Sequence, residues 1–199
     1  MTIYQDSTTP IVMVHGFWDT CKVFNRMAAH LKRKGKNVYH SLTLQPNNGT
    51  ISIEKMAEQL KVYIDSNLGE EQKIILIGFS MGGLVSRYYL QYLGGLERTE
   101  KLITISTPHY GTFTAYVFDR IACVEMRPKS LFLEKLNGDL HLLKHLPVTS
   151  IWTKYDTTII PNDSSQLRIG TNIKLPFGIH PLMPFSLKVI ELVEKELVL

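Results

Sequence analysis

The sequence predicts an α/β fold: a mostly parallel central sheet of about six strands with helices on both faces. Two observations carry this prediction. Short apolar runs alternate along the chain with stretches of helical spacing. The strand-like runs are also apolar throughout, as strands buried on both faces must be, and not alternately polar.

The elements follow in order. "IVMVHG" (11–16) is a buried-strand run ending at a glycine. "CKVFNRMAAHLKRKG" (21–35) places apolar residues at 23, 24, 27, 28 and 31, a helical spacing closed by Gly35 as C-cap. "NVYHSLTL" (37–44) reads as a second strand and "PNNG" (46–49) as a turn. "SIEKMAEQLKVYIDSNL" (52–68) is an amphipathic helix with Ser52 as N-cap. "KIILIGFS" (73–80) is a third strand, "MGGLVSRYYLQYL" (81–93) a third helix, and "KLITISTP" (101–108) a fourth strand. Residues 109–146 then break the rhythm with aromatics and short helical hints, and are expected to be an insertion within one domain spanning 1–199. "VTSIWT" (148–153) is a fifth strand, and "QLRIG" (166–170), continuing toward "TNIKL", a sixth. "PLMPFSLKVIELVEKELVL" (181–199) closes the chain as a helix.

Composition narrows the function. A chain of 199 residues can bury roughly 70% of its unfolded surface in one core. The net charge is +4, but the basic residues are scattered. The densest group, "LKRKGK" (31–36), suits a helix C-terminus, and no basic patch interleaved with aromatics points to nucleic acid. Cys21 and Cys123 have no metal-ligand spacing and make no disulfide framework. His141 and His145 are four apart without an acidic partner between them, and read as an exposed helix face. No metal or cofactor is expected. "MTIYQDSTTP" carries no signal-peptide pattern, and no apolar run approaches 18 residues, so a cytoplasmic protein without a transmembrane segment is the expectation.

The chemistry centres on "GFSMG" (78–82), a G-x-S-x-G motif. It lies where a buried strand turns into a helix, the context of a nucleophile elbow. Small neighbours allow a sharp turn, the Ser80 hydroxyl stands clear of the sheet, and the helix N-terminus favours developing negative charge. An acyl-transfer site also needs donors for an oxyanion. The backbone N–H of Met81 is one. The N–H of Phe17, in "VHGFW" (14–18) after the first strand, is the other. In this architecture the base comes last, in the order serine, acid, histidine. His180, in "FGIHPLMPF" between the last strand and the final helix, fits that place. His109 precedes the acid candidates and is expected to line the pocket or pack under the insertion. Asp156 follows the fifth strand in "SIWTKYDTTIIP" and is the expected acid, with Asp163 in "PNDSS" as the alternative. The predicted chemistry is attack by Ser80 on an ester carbonyl, with His180 as base, Asp156 orienting it, and an acyl-enzyme released by water.

These motifs resemble the α/β-hydrolase superfamily, and within it the small lipases and esterases of the class 2 triacylglycerol lipase type. The likeness runs through "PIVMVHGFW", "GFSMGG", "ISTPHYGT", "IWTKYDTTIIP" and "GIHPL". It implies the same roles for Ser80, Asp156, His180, Phe17 and Met81. It further implies a minimal fold, an acyl ester or lipid substrate, and transient contact with a lipid surface. Phe79 stands where many relatives carry histidine. The insertion, with Tyr110, Phe113, Tyr116, Val117, Phe118, Leu131, Phe132 and Leu133, could act as a cap over the acyl pocket. A thioesterase, an acyltransferase or a phospholipase A would use the same triad. A hydrolase-like binding protein that has lost catalysis would lack a triad member, and here all three positions are filled.

Overall fold

The computed structural model describes residues 9–36, 39–69 and 71–198. Six strands, β1 (Ile11–Val14), β2 (Tyr39–Leu42), β3 (Ile74–Phe79), β4 (Thr99–Ile105), β5 (Val148–Thr153) and β6 (Thr171–Leu175), form one sheet in the order β2-β1-β3-β4-β5-β6. Every neighbouring pair is parallel. The chain runs from β1 to one side and then returns to β3 on the other. That reversal leaves a crevice beyond the C-terminal ends of β1 and β3, where open α/β sheets bind ligands.

The apolar strands are continuous because each face of the sheet has its own core. Val12, Val14, Leu76 and Leu102 pack under α2 (Ile53–Leu68) and α3 (Met81–Tyr92). Ile11, Met13, Ile77, Ile103 and Ile151 pack with residues of α1 (Asn25–Arg33) on the opposite face. Side chains alternate between faces along a strand, and here both faces are covered. Each such aliphatic side chain, fully buried, contributes about 1.5–3 kcal/mol of transfer free energy.

Helix ends obey local chemistry. α1 stops in a Schellman motif: Gly35 adopts φ +80°, its N–H bonds Lys32 O, and Lys36 N–H bonds Leu31 O at 3.0 Å. Ser52 caps α2 through Lys55 N–H at 3.2 Å. The first helical stretch begins as a 3-10 turn at Cys21–Phe24, ahead of α1.

Several boundaries differ from the sequence reading, among them the fourth strand, expected at 101–108 and found at Thr99–Ile105. The sixth strand is Thr171–Leu175, and "QLRIG" (166–170) is the turn that precedes it. Asn172 locks that turn by bonding both Leu167 N and Leu167 O, at 2.9 and 2.8 Å. β6 is an edge strand and largely exposed, so it carries no apolar run to betray it. The terminal helix is shorter than 181–199. His180–Phe185 forms a 3-10 turn containing Pro184, and α6 spans Leu187–Glu196. Of the second strand predicted at 37–44, positions 37–38 lie outside the described residues.

The segment 109–146 holds α4 (Ile121–Glu125) and α5 (Leu131–Gly138). It is tied down at several points. Glu125 accepts from Ile53 N at 2.6 Å, which puts a carboxylate at the N-terminus of α2. Phe113 N–H bonds Ile160 O at 2.8 Å, and the hydroxyls of Thr112 and Thr114 both donate to Thr158 O. Among the described residues, no helix is long and apolar enough to cross a membrane.

Candidate active site

Ser80 ends β3 and opens α3. Its N–H still belongs to the sheet, bonding Ile105 O at 2.9 Å, while its backbone swings to φ +52°, ψ −124°. Such angles are strained for a residue with a Cβ and persist only where the surroundings enforce them. Here the enforcement is close packing. A Cβ on Gly82 would lie 2.1 Å from Val14 O, and one on Gly78 would lie 2.5 Å from Gly83 Cα. Two further non-glycine residues with positive φ follow neighbouring strands: Trp18 after β1 (+56°) and Ser106 after β4 (+47°). Strain is thus concentrated at one rim of the sheet.

Hydrogen bonds join the three predicted residues at that rim. His180 Nδ1 lies 2.8 Å from Asp156 Oδ2, and His180 Nε2 lies 3.0 Å from Ser80 Oγ. A carboxylate only accepts, so Nδ1 carries the proton and Nε2 is free to accept from the serine. The other carboxylate oxygen, Asp156 Oδ1, accepts from Thr158 N at 2.8 Å and Ile159 N at 2.9 Å. Burial pushes the Asp156 carboxyl up, but the bond from His180, its charge and the two amides outweigh burial and hold it below the usual range. The loop carrying these amides is itself braced by Thr112 and Thr114 of the insertion and by Asn162, whose Nδ2 bonds Ile159 O at 2.7 Å. Phe79 packs against the His180 ring, with centroids 5.0 Å apart. Ser80 and His180 are 8% and 7% exposed, buried yet still touched by solvent.

The loop after β1 lies against Ser80: a Cβ on Gly16 would come within 3.0 Å of Ser80 Cβ. Among the described residues, the N–H groups of Phe17 and Met81 donate to no protein acceptor. Met81 is the first residue of α3, where an amide has no partner within its own helix. The loop is clamped by Asn47, which accepts from Trp18 N at 2.8 Å through its backbone carbonyl and donates from its side chain to Asp19 O at 2.8 Å. Trp18 meets Phe118 of the insertion edge-on, with centroids 4.6 Å apart.

The alternatives fall elsewhere. Asp163 sits exposed in the 3-10 turn Asn162–Ser165. His141 and His145 are exposed. His109 is completely buried beneath the insertion. Its Nε2 meets Thr104 Oγ1 at 3.1 Å and its Nδ1 faces Arg87 Nη1 at 3.5 Å.

Sequence reasoning assigned nothing to Arg87, which is buried without a carboxylate partner among the described residues. It donates to Leu136 O (2.9 Å), Asn137 Oδ1 (3.0 Å) and Gln91 Oε1 (3.3 Å), fastening the insertion to α3. Burial brings its pKa down to about 10, partly offset by Tyr110 and Tyr92, so it stays charged at neutral pH. The available signal was an arginine inside a helix that holds no other charged residue.

A parallel sheet of this order, with a serine on a strained strand-to-helix turn at its C-terminal rim, is an α/β-hydrolase fold. Solved structures agree. The chain is similar to the mature lipase BlEst2 of Bacillus licheniformis at 16% identity and a TM-score of 0.75, covering 97% of this chain and 93% of that one. It is similar to a monoacylglycerol lipase of Paleococcus ferrophilus at 16% identity and a TM-score of 0.69, covering 95% and 92%. It also matches lipase B of Aspergillus fumigatus at 16% identity and a TM-score of 0.73, covering 95% of this chain but 53% of that one. No curated protein sequence matches. The chain belongs to the palmitoyl protein thioesterase family, whose model matches residues 10–145. That span includes Phe17, Ser80, Met81 and all but the last residue of the insertion, and ends before the strand that leads to Asp156. The likeness to the α/β-hydrolase superfamily drawn from the motifs is therefore borne out.

Proposed function

We propose that this protein is a serine acyl hydrolase that cleaves carboxylic esters through an acyl-enzyme on Ser80. The observation that carries the reading is the hydrogen-bonded chain Ser80 Oγ–His180 Nε2, His180 Nδ1–Asp156 Oδ2, at 3.0 and 2.8 Å. His180 takes the Ser80 proton as the oxygen attacks the acyl carbon. Asp156 holds the ring in the right tautomer and stabilises its positive charge. The free amides of Phe17 and Met81 hold the oxyanion. His180 then returns the proton to the departing alcohol, and water, activated by the same ring, releases the acid.

The rim suits an acyl chain. Of the large apolar side chains that remain exposed, Trp18, Phe113, Tyr116, Val117, Ile121, Tyr155, Ile160, Phe177, Ile179 and Leu182 all belong to segments that follow the C-terminal ends of β1, β4, β5 and β6. In this reading the segment 109–146 caps the acyl pocket, and the apolar rim makes transient contact with a lipid surface. A second reading, thioester cleavage, is favoured by the family match and needs only a thiol in place of the alcohol as leaving group.

A panel of p-nitrophenyl esters of increasing chain length, acyl-CoA thioesters and emulsified lipids tests both readings. Hydrolysis of esters with labelling of Ser80 by a fluorophosphonate is expected. Thioester turnover far above ester turnover would select the second reading. Absence of labelling would remove both.

A further inference from the structure

His15 is completely buried at the C-terminal end of β1. Its Nδ1 lies 2.8 Å from the carbonyl oxygen of its own neighbour, Gly16. Its Nε2 lies 2.9 Å from the backbone nitrogen of Leu44, two residues past β2. A carbonyl only accepts and an amide only donates, so the ring is neutral, with its proton on Nδ1. Burial acts in the same sense: it holds the His15 pKa below its ordinary value, against the opposing pull of the Gly16 carbonyl and Asp19.

The bond to Gly16 has a geometric consequence at the next atom. The Gly16–Phe17 peptide is trans, and in a trans peptide the C=O and the following N–H point in opposite directions. Gly16 O is held by the His15 ring and, at 3.3 Å, by Asp19 N–H. The Phe17 N–H therefore points away from that ring. The same glycine packs so closely on the nucleophile that a Cβ added to it would stand 3.0 Å from Ser80 Cβ.

We propose that His15 is a positioning residue. Its hydrogen bond to the Gly16 carbonyl turns the Gly16–Phe17 peptide so that the Phe17 N–H faces the oxyanion formed at Ser80. This rests on the acyl-hydrolase reading given above. The bond to Leu44 is a separate function, a strut between the loops that follow β1 and β2.

Side-chain length separates the two bonds. In His15→Asn the amide nitrogen takes the place of Nδ1 and keeps the bond to Gly16. In His15→Gln the amide oxygen reaches the place of Nε2 and keeps the bond to Leu44. With p-nitrophenyl butyrate, His15→Ala and His15→Gln are expected to lower kcat by roughly 10- to 100-fold with little change in KM, a partial form of losing an oxyanion donor. His15→Asn should restore kcat to within about threefold of the native value. Restoration by glutamine and not by asparagine, or a loss confined to KM, would overturn the proposal. The native protein supplies a second measurement that needs no variant. Nitrogen chemical shifts of the His15 ring must show the proton on Nδ1, and a proton on Nε2 would equally overturn it. Ser80→Ala isolates the underlying reading: full activity there defeats the acyl-hydrolase assignment itself, an outcome no His15 result can mimic.

Discussion

Two buried histidines, His180 and His109, lie past the C-terminal ends of strands and show how a partner decides what an imidazole can do. His180 leans on a carboxylate and offers its second nitrogen to a serine. His109 faces the Arg87 guanidinium with one ring nitrogen and the Thr104 hydroxyl with the other. Burial first, and then the Arg87 charge, drives the His109 pKa well below 6.5. The His180 ring has a carboxylate beside it, whereas a proton arriving on His109 meets a positive charge in a dry site. In the proposed reading the same side chain transfers a proton in one place, and in the other it is held neutral, as part of a structural hub.

The comparison can be broken most decisively at the first cluster. Ser80→Ala is expected to reduce kcat/KM by on the order of 10⁴–10⁶ with the fold retained, as read by ester hydrolysis and circular dichroism. Asp156→Asn should lower kcat by roughly 10³–10⁴, because the ring loses its tautomer control, while Asp163→Asn stays within about twofold of native. The reverse pattern would transfer the acid role to Asp163.

The second cluster should answer in stability, not in rate. Arg87→Met takes the arginine donor from Asn137 Oδ1 and Gln91 Oε1 and leaves the Leu136 carbonyl with Gln91 Nε2 alone, and is expected to destabilise the fold by about 2–4 kcal/mol in urea denaturation, with turnover per folded molecule reduced less than about tenfold. A larger catalytic than thermodynamic effect would make the hub part of the active site. The smallest expected signal is in pH. His15 and His109 both have folded pKa values below the ordinary 6.5, so the unfolded chain binds more protons than the folded one once the pH drops below about 6.5. Stability should therefore fall on acidification from pH 7 to 5, with the larger share of the fall owed to His109, whose pKa lies well below its ordinary value. His109→Gln should flatten that slope. An unchanged slope would mean that the ring already charges in the native state.

Much of this was legible in the residues. Ser80 was exposed by glycines at a strand-to-helix junction, and His180 by its place between the last strand and the closing helix. β5 was bounded correctly, and Asp156 follows from it. β6 was displaced because "TNIKL" lies at the sheet edge, where period and hydrophobicity fade, while Leu167 just ahead of it is buried and draws the eye. The Arg87 hub could not be read at all. Its partners, Leu136 and Asn137, are about fifty residues away and bond through a carbonyl and an amide, which leave no pattern. The part played by the His15 ring was hidden for the same reason, since the amide it receives comes from Leu44, beyond the next strand.

The positive φ at Ser80 has a consequence for natural selection. A side chain at such angles costs about 1–3 kcal/mol, and glycine would adopt them freely. In the proposed reading, the most robust version of this scaffold is thus one that has surrendered its nucleophile, and drift toward sturdiness at this position would run directly against retention of the chemistry.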